Sequence, residues 1–137
     1  MYSYGNQSKL LLTQARQELQ IVFFKAIEIV DIKILQSHRD KETQDEYYRT
    51  GRSKVEYPLS KHNRLPSHAI DWAPWPIPES WGERDPKEKA RYYYIAGILM
   101  AIGNENNIRL RWGGDWDGDT HFNDQTFDDL GHIELIL

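Results

Sequence analysis

The 137-residue chain contains no cysteine. That excludes a disulfide framework and a cysteine-rich structural zinc site, and it leaves the redox compartment open. Long apolar runs are missing too. The longest, Ile95 to Ile102 with Gly97 inside it, has 8 residues, against the roughly 20 needed to cross a bilayer. The segment Met1-Tyr2-Ser3-Tyr4-Gly5-Asn6-Gln7 lacks the basic start and apolar stretch of a secretory signal. The expectation is a soluble product made in the cytosol, without membrane insertion. There is no polybasic run, and Lys+Arg 17 against Asp+Glu 21 gives a net charge of −4. This balance argues against a nucleic-acid partner and against polyphosphate ligands. Internal repeats and low-complexity tracts are absent as well. By length the chain is a single domain, 1–137, able to bury roughly two thirds of the surface that its unfolded form exposes. No metal is needed merely to fold, so any bound metal is expected to serve function.

Periodicity gives an α+β layout. Leu12, Ala15, Leu19, Val22, Phe23, Ala26, Ile27 and Val30 recur at three- and four-residue steps, which predicts one long amphipathic helix from Ser8 to about Val30. Ile32 to Leu35 reads as a short strand leading to Arg39, and Asp40 to Arg49 as a polar helix stopped by Gly51. Ala69 to Trp72 reads as a second strand, closed by Pro74, Pro76 and Pro78, which rule out a regular element from Trp75 to Trp81. Asp85-Pro86-Lys87-Glu88 has the N-cap, first-position proline and following Glu of a helix start, and that helix should run to about Asn104. Ile108 to Trp112 alternates as a half-buried strand and ends at Gly113-Gly114. His132 to Leu137 alternates again, which puts His132 and Glu134 on one face and Ile133, Leu135 and Leu137 on the other. The expected architecture is helices on one side of a small antiparallel sheet, with a metal site on the opposite face.

Two segments carry chemistry: Ser60-Lys61-His62-Asn63-Arg64-Leu65-Pro66-Ser67-His68-Ala69-Ile70-Asp71 and Asp129-Leu130-Gly131-His132-Ile133-Glu134-Leu135. A catalytic zinc takes three protein ligands from His, Asp and Glu and leaves one position to water. His62, Asp71 and His132 supply such a set, and Asp129 is a spare carboxylate three residues before the second imidazole. His68 competes with His62, but on a strand His68 and Asp71 point to opposite faces, which ranks it second. His38 and His121 are taken as bystanders.

Ser60-Lys61-His62, Ala69-Ile70-Asp71 and Asp129-Leu130-Gly131-His132 also resemble, in order, the motifs of the zinc peptidases of bacterial cell-wall metabolism. That family includes D-alanyl-D-alanine carboxypeptidases, vancomycin-resistance dipeptidases and phage L-alanyl-D-glutamate endolysins. The loop between His62 and Asp71, lengthened by Pro66-Ser67, is similar to the phage branch. The resemblance implies a hedgehog/DD-peptidase-like α+β fold and one zinc ion per chain on His62, Asp71 and His132. It makes Asp129 the carboxylate that takes a proton from water and passes it to the leaving amine. It makes Arg39 the cation that stabilises developing charge or clamps a substrate carboxylate, and Ser60 a substrate-binding hydroxyl. Glu134 is read as orienting a ligand imidazole or touching the substrate amine.

What the resemblance implies is a zinc-dependent peptidoglycan peptidase cutting the L-alanyl-D-glutamate bond of the stem peptide. The partner is then the stem peptide, the protein a monomer without a separate wall-binding module, and its route to the wall a holin-type pore. A D-alanyl-D-alanine carboxypeptidase or dipeptidase is the enzyme alternative. A non-catalytic zinc-containing binding domain of the hedgehog-like fold is the alternative of another class; the presence of Asp129 and Arg39 argues against it.

Each residue also has a plainer reading. Arg39 could be a surface residue after a strand, and Ser60 could cap a turn. Asp115-Trp116-Asp117-Gly118-Asp119 starts like a calcium loop, but Thr120 and Thr126 stand where such loops need Gly and a bidentate Glu. A solvated acidic turn is the first reading there, and a weak Ca2+ site at Asp115, Asp117 and Asp119 the second. Trp72, Trp75 and Trp81 could line a peptide-binding wall or pack as core and rim.

Overall fold

A computed structural model describes all residues 1–137. Its first departure from the sequence pattern is that the amphipathic stripe is not one helix. It is divided into α1 (Asn6–Leu12) and α2 (Gln17–Ala26). Between them the Gln14 carbonyl accepts from the Ser67 N–H, and the Arg16 N–H donates to the Ser67 carbonyl, so Ala15 bridges Ser67 in parallel fashion. These bonds take backbone groups that a continuous helix would have used internally. The spacing still names the buried face, because Leu12, Ala15, Leu19, Val22, Phe23, Ala26 and Ile27 all join the core.

The sheet has four antiparallel strands: β1 (Ile32–Gln36), β2 (Ala69–Pro74), β3 (Leu110–Trp112) and β4 (His132–Leu135), in the order β1-β2-β4-β3. Period-two alternation sorts their side chains. Ile32, Ile34, Ile70, Trp72, Leu110, Trp112, Ile133 and Leu135 face the helices and belong to one 22-residue core cluster. α1 packs on β1, α4 (Pro86–Glu105) on β2 and β3, and α2 on α4. Asp71, His132 and Glu134 alternate with those core residues and so occupy the other face.

α3 (Lys41–Arg49) stands apart from this layer, contrary to the expectation that all helices lie on one side. None of its residues joins the core cluster, and its one fully buried side chain, Gln44, bonds to Arg39 on the side of the metal-ligand candidates. Its start is as the sequence indicates, with the Asp40 side chain accepting from Thr43 N at 2.8 Å. α4 is likewise capped by Asp85, which accepts from Lys87 N at 3.0 Å. Glu88, however, pairs with Arg91 at 3.3 Å, and Arg91 also donates to the Trp75 and Pro76 carbonyls, tying the proline-rich segment to the helix. Within that segment a short 3-10 turn, Glu79–Gly82, replaces the expected irregular chain, with Ser80 and Trp81 in the left-handed region at φ 51° and 56°.

Candidate active site and metal centre

Register places the central pair. In the β2–β4 ladder Asp71 lies directly opposite His132 and Ala69 opposite Glu134, so Asp71, His132 and Glu134 share a face by construction. The β1–β2 ladder carries a bulge: Ile34 pairs with Trp72, but the next pair is Gln36 with Asp71. Directly opposed residues point the same way, so the extra residue puts Gln36 on the face of Asp71. The chain beyond the bulge then delivers Ser37 and Arg39 to the site.

His62 arrives on a short 3-10 turn, Lys61–Asn63, capped by the Ser60 hydroxyl, which accepts from His62 N at 3.2 Å. Its ring is 2% exposed. His62 Nδ1 lies 2.7 Å from the Ser37 carbonyl, which can only accept, so Nδ1 carries the hydrogen and Nε2 is turned to Asp71 Oδ1 at 3.1 Å. His132 is fixed the other way round. Its Nε2 lies 2.9 Å from Glu134 Oε1, which leaves Nδ1 facing the same Asp71 oxygen at 3.2 Å. Ligand atoms of His62, Asp71 and His132 thus fall within 4.8 Å of one another. Two nitrogens and one carboxylate oxygen, each imidazole held by a hydrogen bond on its far side, form a donor set that suits zinc. His68 stays outside this group; its N–H and C=O pair with Lys61 and Leu135.

Electrostatics bind the cluster tightly. Burial pushes the Asp71 carboxyl up, but the charges and hydrogen bonds of His62 and His132 outweigh it and hold Asp71 well below the usual carboxylate range. Burial disfavours a charged His132, yet hydrogen bonds to Asp71 and Glu134 raise it to about 10. A ligand imidazole must be neutral, so a divalent ion competes with that proton. Glu134 is also lowered despite burial, by His132 first and then by Lys61 at 3.6 Å and Arg111 at 3.5 Å. Asp129 behaves oppositely: burial raises its carboxyl, His132 pulls it down and Asp71 adds to the rise. It stands 4.0 Å from His132 Nδ1, beside the ligand atoms rather than among them.

Glycine makes that placement possible. Asp129 N donates to the Gly113 carbonyl and Gly113 N to the His132 carbonyl. A Cβ on Gly113 would lie 2.0 Å from the Asp129 carbonyl oxygen, and one on Gly131 would lie 2.3 Å from the Trp72 carbonyl oxygen. Gly113, which in the sequence looks only like the end of a strand, is where β3 meets the Asp129 backbone.

Arg39 is 7% exposed and fully engaged on most of its fork. Nε and Nη2 donate to Gln36 Oε1, Nη1 donates to Gln44 Oε1, and Nη2 lies 3.4 Å from Asp71 Oδ2. Its plane also lies over the Tyr47 ring at 4.6 Å. Gln36, Ser37, Gln44 and Ser67 are supporting residues that the sequence did not reveal. Ser67 is fully buried, with Oγ 3.0 Å from the Ser37 carbonyl that orients His62. Polar residues near β1 carry no periodic signal, and only the bulge discloses them. Trp116 was missed as well; its ring lies 5.5 Å from the His132 ring and stacks on Phe127.

The acidic loop after β3 gathers Asp115, Asp117 and Asp119 within 4.8 Å. Its own backbone accounts for much of this, with N–H groups of Thr120, Asp119 and His121 donating to the three carboxylates. The tryptophans divide between the two readings offered for them. Trp72 is fully buried core, Trp75 is exposed under Lys33, and Trp81 lines the cleft beside Asp71 and Asp129. That cleft consists of two cavities, about 350 and 380 Å3, which share Asp71 and Asp129.

Comparison with known proteins agrees with this geometry. The sequence model of the family described as "Phage L-alanyl-D-glutamate peptidase" matches residues 1–136. The L-alanyl-D-glutamate peptidase of Escherichia phage T5 is 28% identical over 141 residues, covering 98% of this chain and 98% of that protein. Among solved structures, the Serratia marcescens L-Ala D-Glu endopeptidase ChiX superposes with a TM-score of 0.71 at 22% identity, over 98% of this chain and 91% of its own. The latter likeness speaks to fold.

Proposed function

The chain belongs to the phage L-alanyl-D-glutamate peptidase family, and from that membership we propose that it acts as an endolysin, hydrolysing the amide between L-alanine and D-glutamate in peptidoglycan stem peptides with the help of one zinc ion. His62 Nε2, an Asp71 carboxylate oxygen and His132 Nδ1 would hold the ion. When bound, zinc supplies Lewis-acid polarisation of the scissile carbonyl and an acidified water.

The protein's own residues do the rest. Asp129, raised by burial and 4.0 Å from His132 Nδ1, accepts the proton of the attacking water and returns it to the glutamate nitrogen as the C–N bond breaks. Arg39 stands behind Asp71, and its charge offsets the negative charge that builds on the carbonyl oxygen. Gln36 and Gln44 hold that guanidinium in place, so it need not reorganise during the reaction. Glu134 keeps the His132 ring in the tautomer that a ligand needs. Ser60 fixes the turn that presents His62 and lines the same cavity, within reach of a bound peptide backbone. No helix is long and apolar enough to cross a membrane, and passage to the wall through a holin-type pore completes the proposal.

The observation that carries it is the convergence of three ligand atoms within 4.8 Å with an uncommitted carboxylate beside them. Digestion of purified muropeptides, followed by mass spectrometry of the products, tests it. A new glutamate amino terminus is expected; release of free D-alanine alone would point to a carboxypeptidase instead.

A further inference from the structure

The two cavities that meet at Asp71 and Asp129 differ in charge. One is lined by Glu83, Asp128, Asp129 and Asp71 against a single cation, Lys89, with Trp81 at its side. The other sets four cations, Arg39, Arg52, Lys54 and Lys61, against three carboxylates, Asp71, Asp129 and Glu134. Two of those four cations are spoken for: Arg39 by Gln36, Gln44 and Asp71, and Lys61 by Glu134 and the Leu135 carbonyl. Arg52 and Lys54 form no ion pair.

They are nevertheless held in place. Gln44, fully buried, donates through Nε2 to Ser53 Oγ at 2.9 Å and to the Val55 carbonyl at 2.7 Å, which anchors the chain between the two cations and just after them. The Arg52 guanidinium lies over the Tyr47 ring at 4.0 Å, and Lys54 Nζ sits 5.5 Å from the Phe127 ring. Aromatic faces steady both groups without neutralising them.

Substrate chemistry supplies the missing anion. Glutamate has two carboxyl groups, and in a stem peptide that continues past it one is consumed in the next amide while the other stays free, close to the scissile nitrogen. We propose that Arg52 and Lys54 form the subsite for this free carboxylate, drawing the glutamate side of the bond into the basic cavity and leaving the alanyl side to the acidic cavity beside Trp81. The inference rests on the L-alanyl-D-glutamate reading above. Arg39 cannot fill the same role with its fork, since Gln36, Gln44 and Asp71 already occupy four of its N–H directions. A carboxylate placed at the other end would face Glu83 and Asp128, so charge favours one orientation over its reverse.

The test compares two muramyl peptides, one with the glutamate carboxylate free and one with it converted to the primary amide. The unsubstituted protein should cleave the free acid with a KM lower by about tenfold, the size of one lost charge-assisted contact. The double variant Arg52→Gln/Lys54→Gln should lose that preference by raising KM for the free acid alone, with kcat on the amide unchanged. Arg52→Lys/Lys54→Arg, which keeps both charges, should retain most of the preference. Equal cleavage of the two peptides by the unsubstituted protein, or a double variant whose preference persists, overturns the subsite. If the unsubstituted protein leaves the alanyl-glutamate bond of both peptides intact, the reading beneath it has failed, and the subsite goes with it.

Discussion

Asp71 is asked to do several things at once. One of its oxygens faces both imidazole nitrogens and the other faces Arg39. Removing any single neighbour therefore changes the whole cluster, and variants are informative only when two readouts are followed together. Asp129→Asn keeps shape and removes the proton acceptor, so zinc should bind with unchanged stoichiometry while peptide cleavage falls about 100-fold or more. His132→Ala removes a ligand and should lose both; calorimetric zinc titration beside a muropeptide assay separates the cases. Cleavage by Asp129→Asn at full rate would move the proton-transfer role elsewhere. Glu134 acts one step back, through the 2.9 Å contact to His132 Nε2. Glu134→Gln weakens that acceptor and should cost about 10- to 100-fold in zinc affinity, measured with a competing chelator; unchanged affinity would leave Glu134 only its pairing with Lys61 and Arg111.

Among the elements, β4 and the corner before it organise the site. β4 contributes Ile133 and Leu135 to the core and His132 and Glu134 to the opposite face, a division fully legible in the alternation of the sequence. The corner is less legible. Gly113 and Gly131 let two backbone segments close on Asp129–His132 from either side. Gly113→Ala should therefore displace Asp129 even though no catalytic side chain is touched. Thermal unfolding should show a loss of stability, and cleavage should fall together with zinc affinity, because Gly113 N also donates to the carbonyl of the ligand His132. An alanine variant with normal melting and normal cleavage would mean that the corner relaxes freely. The same contrast explains the other departures. Spacing located the buried stripe of α1 and α2 but not the break at Ala15, because the break is dictated by backbone bonds to Ser67, far away in sequence. The β1 bulge, which brings Gln36 to Asp71, is equally silent, since period-two alternation in Ile32 to Gln36 assumes a ladder without extra residues.

At the scale of the molecule, a helical layer buries one face of the sheet, and the other face is left for polar chemistry. The ligand candidates were readable because a metal site restricts residue types severely: His62, Asp71 and His132 stand in motif order, and the structure brings their ligand atoms together. The residues that hold them, Ser37, Gln44, Ser67 and Trp116, were not readable, because a carbonyl, an amide, a hydroxyl or an indole in support can come from almost any segment. The acidic turn Asp115 to Asp119 shows the converse. Its composition suggests an ion, while its own backbone hydrogen bonds already gather the carboxylates.

The whole arrangement, with three side chains from distant segments meeting on one face of the sheet, makes sense if they share a divalent cation that the reaction requires. Protein stripped with a chelator and then given one equivalent of zinc is the sharpest trial, read by the appearance of glutamate amino termini in muropeptides. Cleavage should disappear on stripping and return at a one-to-one ratio. Unimpaired cleavage by the stripped protein, with no stoichiometric metal remaining, would contradict the metal centre outright.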